Sequence, residues 1–210
     1  VFEVFYQAKV IADENKIVGM EALLRWRGED GELISPADFI PLAEETGLII
    51  PLGKYVLQQA CFDAKSLIDQ GANIIVSVNI SAVQFREESF LQMVQESLQV
   101  SGLKSCFLEL EITEGVLAKN IQRTQQLLSS LRALGVRIAL DDFGTGYSSL
   151  TYLKSFPLDV LKIDQGFVRD MLIDKSDAVI VDAIVRISQA FELELVAEGV
   201  ETLEQVSVLQ

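Results

Sequence analysis

Hydrophobic positions along this chain follow two rhythms. Some alternate with polar positions every second residue, as a strand with one buried face requires. Others recur every three or four residues over longer stretches, as one face of a helix requires. The first rhythm predicts strands over 2–10, 17–26, 73–81, 106–113, 137–142, 158–164 and 193–200. The second predicts a helix from Pro36 behind a Ser35 cap, one from Pro51 to near Gly71, others over 87–100, 120–134, 150–156 and 175–191, and a last one capped by Thr202. Gly102 and Gly135 stand where glycine commonly closes a helix. Pro36 stands in a first turn, where its missing N–H is tolerated.

Seven strands alternate with helices, with no hairpin signal, linker or low-complexity tract between them. That order implies a parallel sheet with helices outside it. Asn79 to Glu111 spans 32 residues and Glu111 to Asp141 spans 30, close to the about 31 of one strand–helix unit in a (β/α)8 barrel. The expected fold class is α/β, a TIM-like (β/α)8 barrel in a single domain over 1–210. Val1 already lies in a strand and Gln210 in a helix, so the barrel is expected to be truncated at both ends. Its last strand would lie outside this piece. A doubly wound open sheet is the alternative, but no Gly-rich phosphate fingerprint follows the first strands.

Composition narrows the chemistry. Of 210 residues, 50% are hydrophobic, enough for a real core and against disorder. No apolar run reaches the roughly 18 residues of a membrane span, so no membrane contact is expected of this domain itself. The formal charge of -14 would repel a long nucleic acid. Cys61 and Cys106 sit among apolar residues and read as buried free thiols of a reducing cytoplasm. Histidine is absent. That excludes imidazole acid/base catalysis, Ser-His-Asp triads and zinc–imidazole sites. A metal here must be held by carboxylates, amides and water, which selects hard cations.

Polar residues interrupt the strands in a pattern. Glu21 and Arg25 share a face of strand 17–26, Ser77 and Asn79 of 73–81, Glu109 and Glu111 of 106–113, and Lys162 and Asp164 of 158–164. In a barrel the active site forms at the carboxyl ends of the strands. Those ends carry Asn79, Glu111, Asp141 with Asp142, Lys162 and Glu198, with Glu21 on an early strand. Burying so many carboxylates against one lysine is costly unless protons or cations compensate. Asp141 and Asp142 are adjacent, so both cannot face inward while the strand lasts. One must turn with the loop after it, an arrangement suited to two neighbouring cations. Alone, that stretch reads better as an ordinary Asp-rich turn with Gly behind it. The convergence of strand ends points to an all-oxygen metal site beside an amine.

The same residues carry a specific resemblance. Glu21-Ala22-Leu23-Leu24-Arg25-Trp26, Val78-Asn79-Ile80-Ser81, Glu111-Ile112-Thr113-Glu114, Asp141-Asp142-Phe143-Gly144-Thr145-Gly146, Leu161-Lys162-Ile163-Asp164 and Ala197-Glu198-Gly199-Val200-Glu201 occur in order along the chain. Together they resemble the EAL domain, a bacterial phosphodiesterase of cyclic di-GMP. The resemblance implies that Glu21, Asn79, Glu111 and Asp141 bind a first metal, and Asp141 and Asp142 a second. It implies Mg²⁺ or Mn²⁺, with Ca²⁺ inhibitory. Lys162 matches the lysine that orients the attacking water, Glu198 the general base, and Glu201 the second acid of that motif. Glu114 matches the glutamate that holds the loop after Asp142, while Gln7 and Arg25 match substrate-binding positions. Tyr6-Gln7-Ala8 departs from the family's Tyr-Gln-Pro, and Arg27-Gly28 replaces a polar group after the Trp.

The resemblance further implies hydrolysis of cyclic di-GMP to linear pGpG by two-metal cleavage, in a cytoplasmic domain whose parent protein could be membrane-attached. It also implies a homodimer through the loop 143–149 and the neighbouring helix. Two other readings stand beside it. One is a non-catalytic cyclic di-GMP receptor, although such domains usually lose metal ligands that are intact here. The other is an acidic barrel used only for interaction, which the excess of acids over bases disfavours.

Overall fold

In the computed structural model, which describes residues 1–12, 14, 16–117, 120–145 and 150–209, the chain divides into two units. The first comprises Val1–Glu111 with Ala133–Val136, the second Ile112–Arg132 with Arg137–Gln210.

In the first unit, β1 (Phe2–Ile11) and β2 (Lys16–Arg27) run antiparallel, with Gln7 opposite Glu21 and Lys9 opposite Gly19. This corrects the expectation of a sheet without hairpins. Ile11 pairs with Lys16. A parallel partner would need a crossover of about a dozen residues or more, so the short segment between them allows only the antiparallel return. Within that segment, Asp13 and Asn15 lie outside the described residues. The two-residue β3 (Leu33–Ile34) adds a second antiparallel ladder, on β2. Trp26 stacks on Phe2 at 5.6 Å and meets Phe39 edge-on at 5.7 Å. Phe5 and Phe62 are exposed.

The helix α1 (Pro36–Glu45) starts at the predicted proline, but Ser35 makes no side-chain cap. Next, α2 (Ile49–Asp69) begins ahead of Pro51, which takes a first-turn position. It buries Leu57, Ala60, Cys61 and Ala64. After β4 (Ile75–Asn79) comes α3 (Ala82–Arg86), a short helix that the hydrophobic pattern does not predict, opened by a reciprocal capping box between Ser81 and Gln84. α4 (Phe90–Ser101) packs against α2 and ends at left-handed Gly102, φ 69°. A 3-10 turn (Ser105–Phe107) leads into β5 (Leu108–Thr113). Cys106 in that turn is exposed, against expectation; only Cys61 is buried. β4 lies parallel to β2, with Glu21 opposite Ser77, and to β5, with Asn79 opposite Glu111. The apolar positions between these polar ones, Val76, Val78, Leu108 and Leu110, are buried.

The second unit holds α5 (Glu114–Leu117), α6 (Ile121–Ala133, its last residue in the first unit), β6 (Arg137–Phe143), α7 (Leu150–Ser155), β7 (Val160–Ile163) and α8 (Gln165–Asp170). It ends with α9 (Lys175–Ala190), β8 (Glu194–Ala197) and α10 (Leu203–Leu209). β6, β7 and β8 are parallel and sequential. All four residues of β7 are buried, as expected of a parallel strand covered on both faces. The hydrophobic pattern does not predict α8 either. Asp164, expected at the end of a strand, instead caps this helix by accepting from the Gly166 N–H. The Thr202 cap forms as expected, its hydroxyl accepting from the Gln205 N–H at 3.2 Å.

Candidate active site

The second unit gathers four of the predicted residues at the ends of β6, β7 and β8. Asp141 is buried, and Asp142 takes a left-handed φ of 54°. That conformation is uncommon outside glycine, though Asp tolerates it better than most. The turn takes Asp142 out of strand alternation, and one oxygen of its carboxylate lies within 4.8 Å of one from Asp141. It is braced locally: the Asp142 N–H donates to Asp141 Oδ1 at 3.0 Å, and the Thr145 hydroxyl donates to the Asp142 carbonyl at 2.8 Å.

From β7, the side chain of Lys162 is fully buried. Its ammonium stands 3.1 Å from Asp141 Oδ1 and 2.6 Å from Glu198 Oε1. Glu198 lies just past β8 and is held at that point by its N–H donating to the Ile163 carbonyl at 3.2 Å. One carboxylate oxygen from each of Asp141, Asp142 and Glu198 lies within 4.8 Å of the others. Burial, then the neighbouring charges of Asp141 and Asp164, push the Asp142 carboxyl above its ordinary range, against the pull of Lys162. A cation at these oxygens would relieve that repulsion. The donor set therefore fits a hard divalent ion.

The loop after Asp142 is tied back to α5. Gly144, in left-handed conformation at φ 98°, donates its N–H to Glu114 Oε1 at 3.0 Å. Glu201 is exposed, and its N–H donates to Gln205 Oε1 at 2.7 Å in the entry to α10. Of the loop expected to form a dimer, residues 146–149 lie outside the described residues.

The first unit gathers another group. Asn79 Nδ2 donates to Glu21 Oε1 at 2.7 Å, and Gln7 sits opposite Glu21 in the β1–β2 ladder. Arg25 is half-buried, opposite Glu3, and donates Nη1 to the Leu24 carbonyl at 3.0 Å. Glu111 is buried, as is Glu109. Both meet a lysine that the motifs do not single out. Lys9 Nζ lies 2.6 Å from Glu111 Oε1, 3.0 Å from Glu109 Oε1 and 2.7 Å from Ser77 Oγ. Lys162 is therefore not the one lysine among these carboxylates. Burial works against the Lys9 charge, but Glu111 and Glu109 outweigh it and hold its pKa above the ordinary lysine value. A sequence signal for it exists: Lys9 stands two positions after Gln7 and so shares its face.

The chain matches known proteins along its length. The EAL domain family profile matches residues 1–210. The chain is 44% identical over 205 residues to the bifunctional diguanylate cyclase/cyclic di-GMP phosphodiesterase MucR of Pseudomonas aeruginosa, covering 97% of this chain and 30% of MucR. It is 43% identical over 209 residues to the cyclic di-GMP phosphodiesterase NbdA of the same organism, covering 99% of this chain and 27% of NbdA. The chain thus spans less than a third of the length of these curated relatives. The solved structure of the PaMucR phosphodiesterase in complex with c-di-GMP matches with a TM-score of 0.96 at 43% identity, covering 99% of this chain and 85% of that one. Among the described residues, no helix is long and apolar enough to cross a membrane.

Proposed function

This chain belongs to the EAL domain family and has its α/β, TIM-like fold, and from that premise we propose that it is a metal-dependent phosphodiesterase hydrolysing cyclic di-GMP to linear pGpG. The observation that carries the reading is the buried Lys162 ammonium between Asp141 and Glu198, with an oxygen of Asp142 close by. A structural ion pair needs one carboxylate. Three carboxylates around one amine suit a site that also takes up cations.

On this reading Glu21, Asn79, Glu111, Asp141 and Asp142 hold two divalent ions, Mg²⁺ or Mn²⁺, and Glu21 is indispensable to catalysis. Bound cations supply Lewis acidity, lowering the pKa of a water and offsetting charge on the phosphoryl oxygens. Lys162, fixed by two carboxylates, orients the attacking water and stabilises negative charge in the transition state. Glu198, within hydrogen-bond reach of Lys162, takes the water's proton. Arg25 offers a planar guanidinium to a phosphate, and Gln7 contacts the nucleotide. Glu114 keeps the loop after Asp142 in place through Gly144, and Glu201 supports the Glu198 motif. Calcium, bound more loosely by the same oxygens, inhibits. The reading extends to a cytoplasmic domain that dimerises through the loop 143–149 and the neighbouring helix.

The test is a product assay. Cyclic di-GMP is incubated with the chain and Mg²⁺ or Mn²⁺ and monitored by chromatography, with Glu21→Ala alongside. Linear pGpG formed only by the unmutated chain is the expected result. Intact substrate, with binding still seen by calorimetry, would replace the enzyme with a cyclic di-GMP receptor.

A further inference from the structure

Lys9 has no part in the chemistry described so far, yet it is placed with care. Its side chain leaves β1, crosses β2 above Gly19 and ends among residues of β4 and β5. A Cβ on Gly19 would lie 2.9 Å from the Ile75 carbonyl oxygen and 3.6 and 3.7 Å from Lys9 Cβ and Cδ. A side chain at position 19 would therefore crowd the β4 backbone, while its Cβ would make only ordinary contact with the Lys9 side chain running beside it. At its end the ammonium has three protons to donate and meets Ser77 Oγ at 2.7 Å, Glu109 Oε1 at 3.0 Å and Glu111 Oε1 at 2.6 Å. Ser77 Oγ donates in turn to Glu109 Oε1 at 2.8 Å. Protein acceptors take every Lys9 proton, so Lys9 is not arranged to bind a substrate phosphate.

The charges in this cluster are secluded. Side-chain exposure is 16% for Lys9, 5% for Glu109 and 0% for Glu111. Charge-assisted bonds in such surroundings are short and directional. A carboxylate gripped at one oxygen by a buried ammonium loses freedom about its last torsion. We propose that Lys9 is a positioning residue, which fixes the plane of the Glu111 carboxylate by holding Oε1 and so prepares it as a ligand for a divalent cation. The inference rests on the reading of Glu111 as a metal ligand given above. Partners that orient metal ligands in this way typically carry about 10- to 100-fold in metal affinity or activity.

The experiment titrates the metal-stripped chain with Mn²⁺, reading free ion and the spectrum of bound ion by electron paramagnetic resonance. Lys9→Met is expected to bind Mn²⁺ about 10- to 100-fold more weakly and with an altered bound-ion spectrum. Ser77→Ala, which removes one Lys9 acceptor but keeps every charge, is expected to shift both readings in the same direction by less. With cyclic di-GMP as substrate, kcat falls in both variants while KM holds, because Lys9 acts through Glu111. Mn²⁺ bound by Lys9→Met as tightly as by the unmutated chain, or more tightly, overturns the proposal and leaves Lys9 a counter-charge. Should Lys9→Met not fold, Ser77→Ala decides alone, an unchanged affinity and spectrum being the overturning result. Glu111→Gln separates the two levels. If it binds Mn²⁺ like the unmutated chain, the metal reading of Glu111 has failed, whatever Lys9 does.

Discussion

Lys162 Nζ stands 2.6 Å from Glu198 Oε1, and the lysine side chain is fully buried while that of Glu198 is 26% exposed. The pair joins the carboxyl-terminal half of β7 to the segment just past β8, and Asp141 at 3.1 Å brings in β6. A buried ammonium is tolerated only with such partners.

Replacing Lys162 by Met should therefore cost both activity and stability. Turnover of cyclic di-GMP is expected to fall by about 100-fold or more, the scale of losing one preorganised electrostatic contact. Stability is expected to fall by about 3 kcal/mol, the low end for breaking a buried pair, because Glu198, one of the carboxylates left behind, is partly open to water. Single-turnover kinetics and urea unfolding would measure the two. Activity near that of the unmutated chain would remove Lys162 from the mechanism.

Among the described residues, Glu114 meets the loop after Asp142 by accepting a hydrogen bond from the Gly144 N–H at Oε1. Glu114→Ala is expected to raise the hydrogen-exchange rate of the Gly144 amide and to lower kcat by about tenfold, within the range that general positioning losses span. Exchange measured by mass spectrometry, beside the product assay, tests both. Unchanged protection at Gly144 would show that another group holds the loop.

The two cysteines should differ sharply in reactivity. Burial pushes the Cys61 thiol up to about 12, only partly offset by a hydrogen bond involving Ser101, whereas Cys106 is exposed. The thiolate is the reacting form, so at pH 8 Cys61 is protonated as well as inaccessible. An aromatic disulfide reagent is expected to label Cys106 alone in the folded chain and both after denaturation. Fast labelling of Cys61 in Cys106→Ser would contradict this.

Gly53 lies inside α2, where Ala would ordinarily stabilise a helix by about 1 kcal/mol. Here a Cβ would clash with the Gln84 carboxamide, and Gln84 is buried and committed to its capping box with Ser81. Gly53→Ala is expected to destabilise by about 1–3 kcal/mol, as overpacking does. Gly53→Ala combined with Gln84→Ala should recover part of that loss, and the coupling would appear in a double-mutant cycle. Equal losses with and without Gln84 would place the strain elsewhere.

Chelation provides the last test. Treatment with EDTA is expected to abolish turnover, Mg²⁺ or Mn²⁺ to restore it, and Ca²⁺ to leave it absent. Robust hydrolysis in Ca²⁺ alone, or hydrolysis surviving chelation, would count against the proposed site.

Local rules written in the sequence determined much of this protein. The period of two placed Glu21 with Arg25 and Glu109 with Glu111 on single faces, because alternation along a strand does not depend on what the strand packs against. Glycines at 102 and 135 marked helix ends, and both take left-handed φ values, 69° and 90°. The adjacency of Asp141 and Asp142 required one to turn, and Asp142 does so at φ 54°. The antiparallel return of β2 on β1 is also implicit in the sequence, since a segment so short cannot cross over, although it carries no typical hairpin signal. Tertiary structure decided what each polar residue meets. Sequence gives no distance between Lys9 and Glu111, 102 positions apart and 2.6 Å from atom to atom. Nor does it say that Asp164 commits its carboxylate to the Gly166 N–H, or that Cys106 falls in a turn open to water. Those outcomes depend on which strands become neighbours and in what register, and that is settled by the packing of the whole sheet rather than by any one segment.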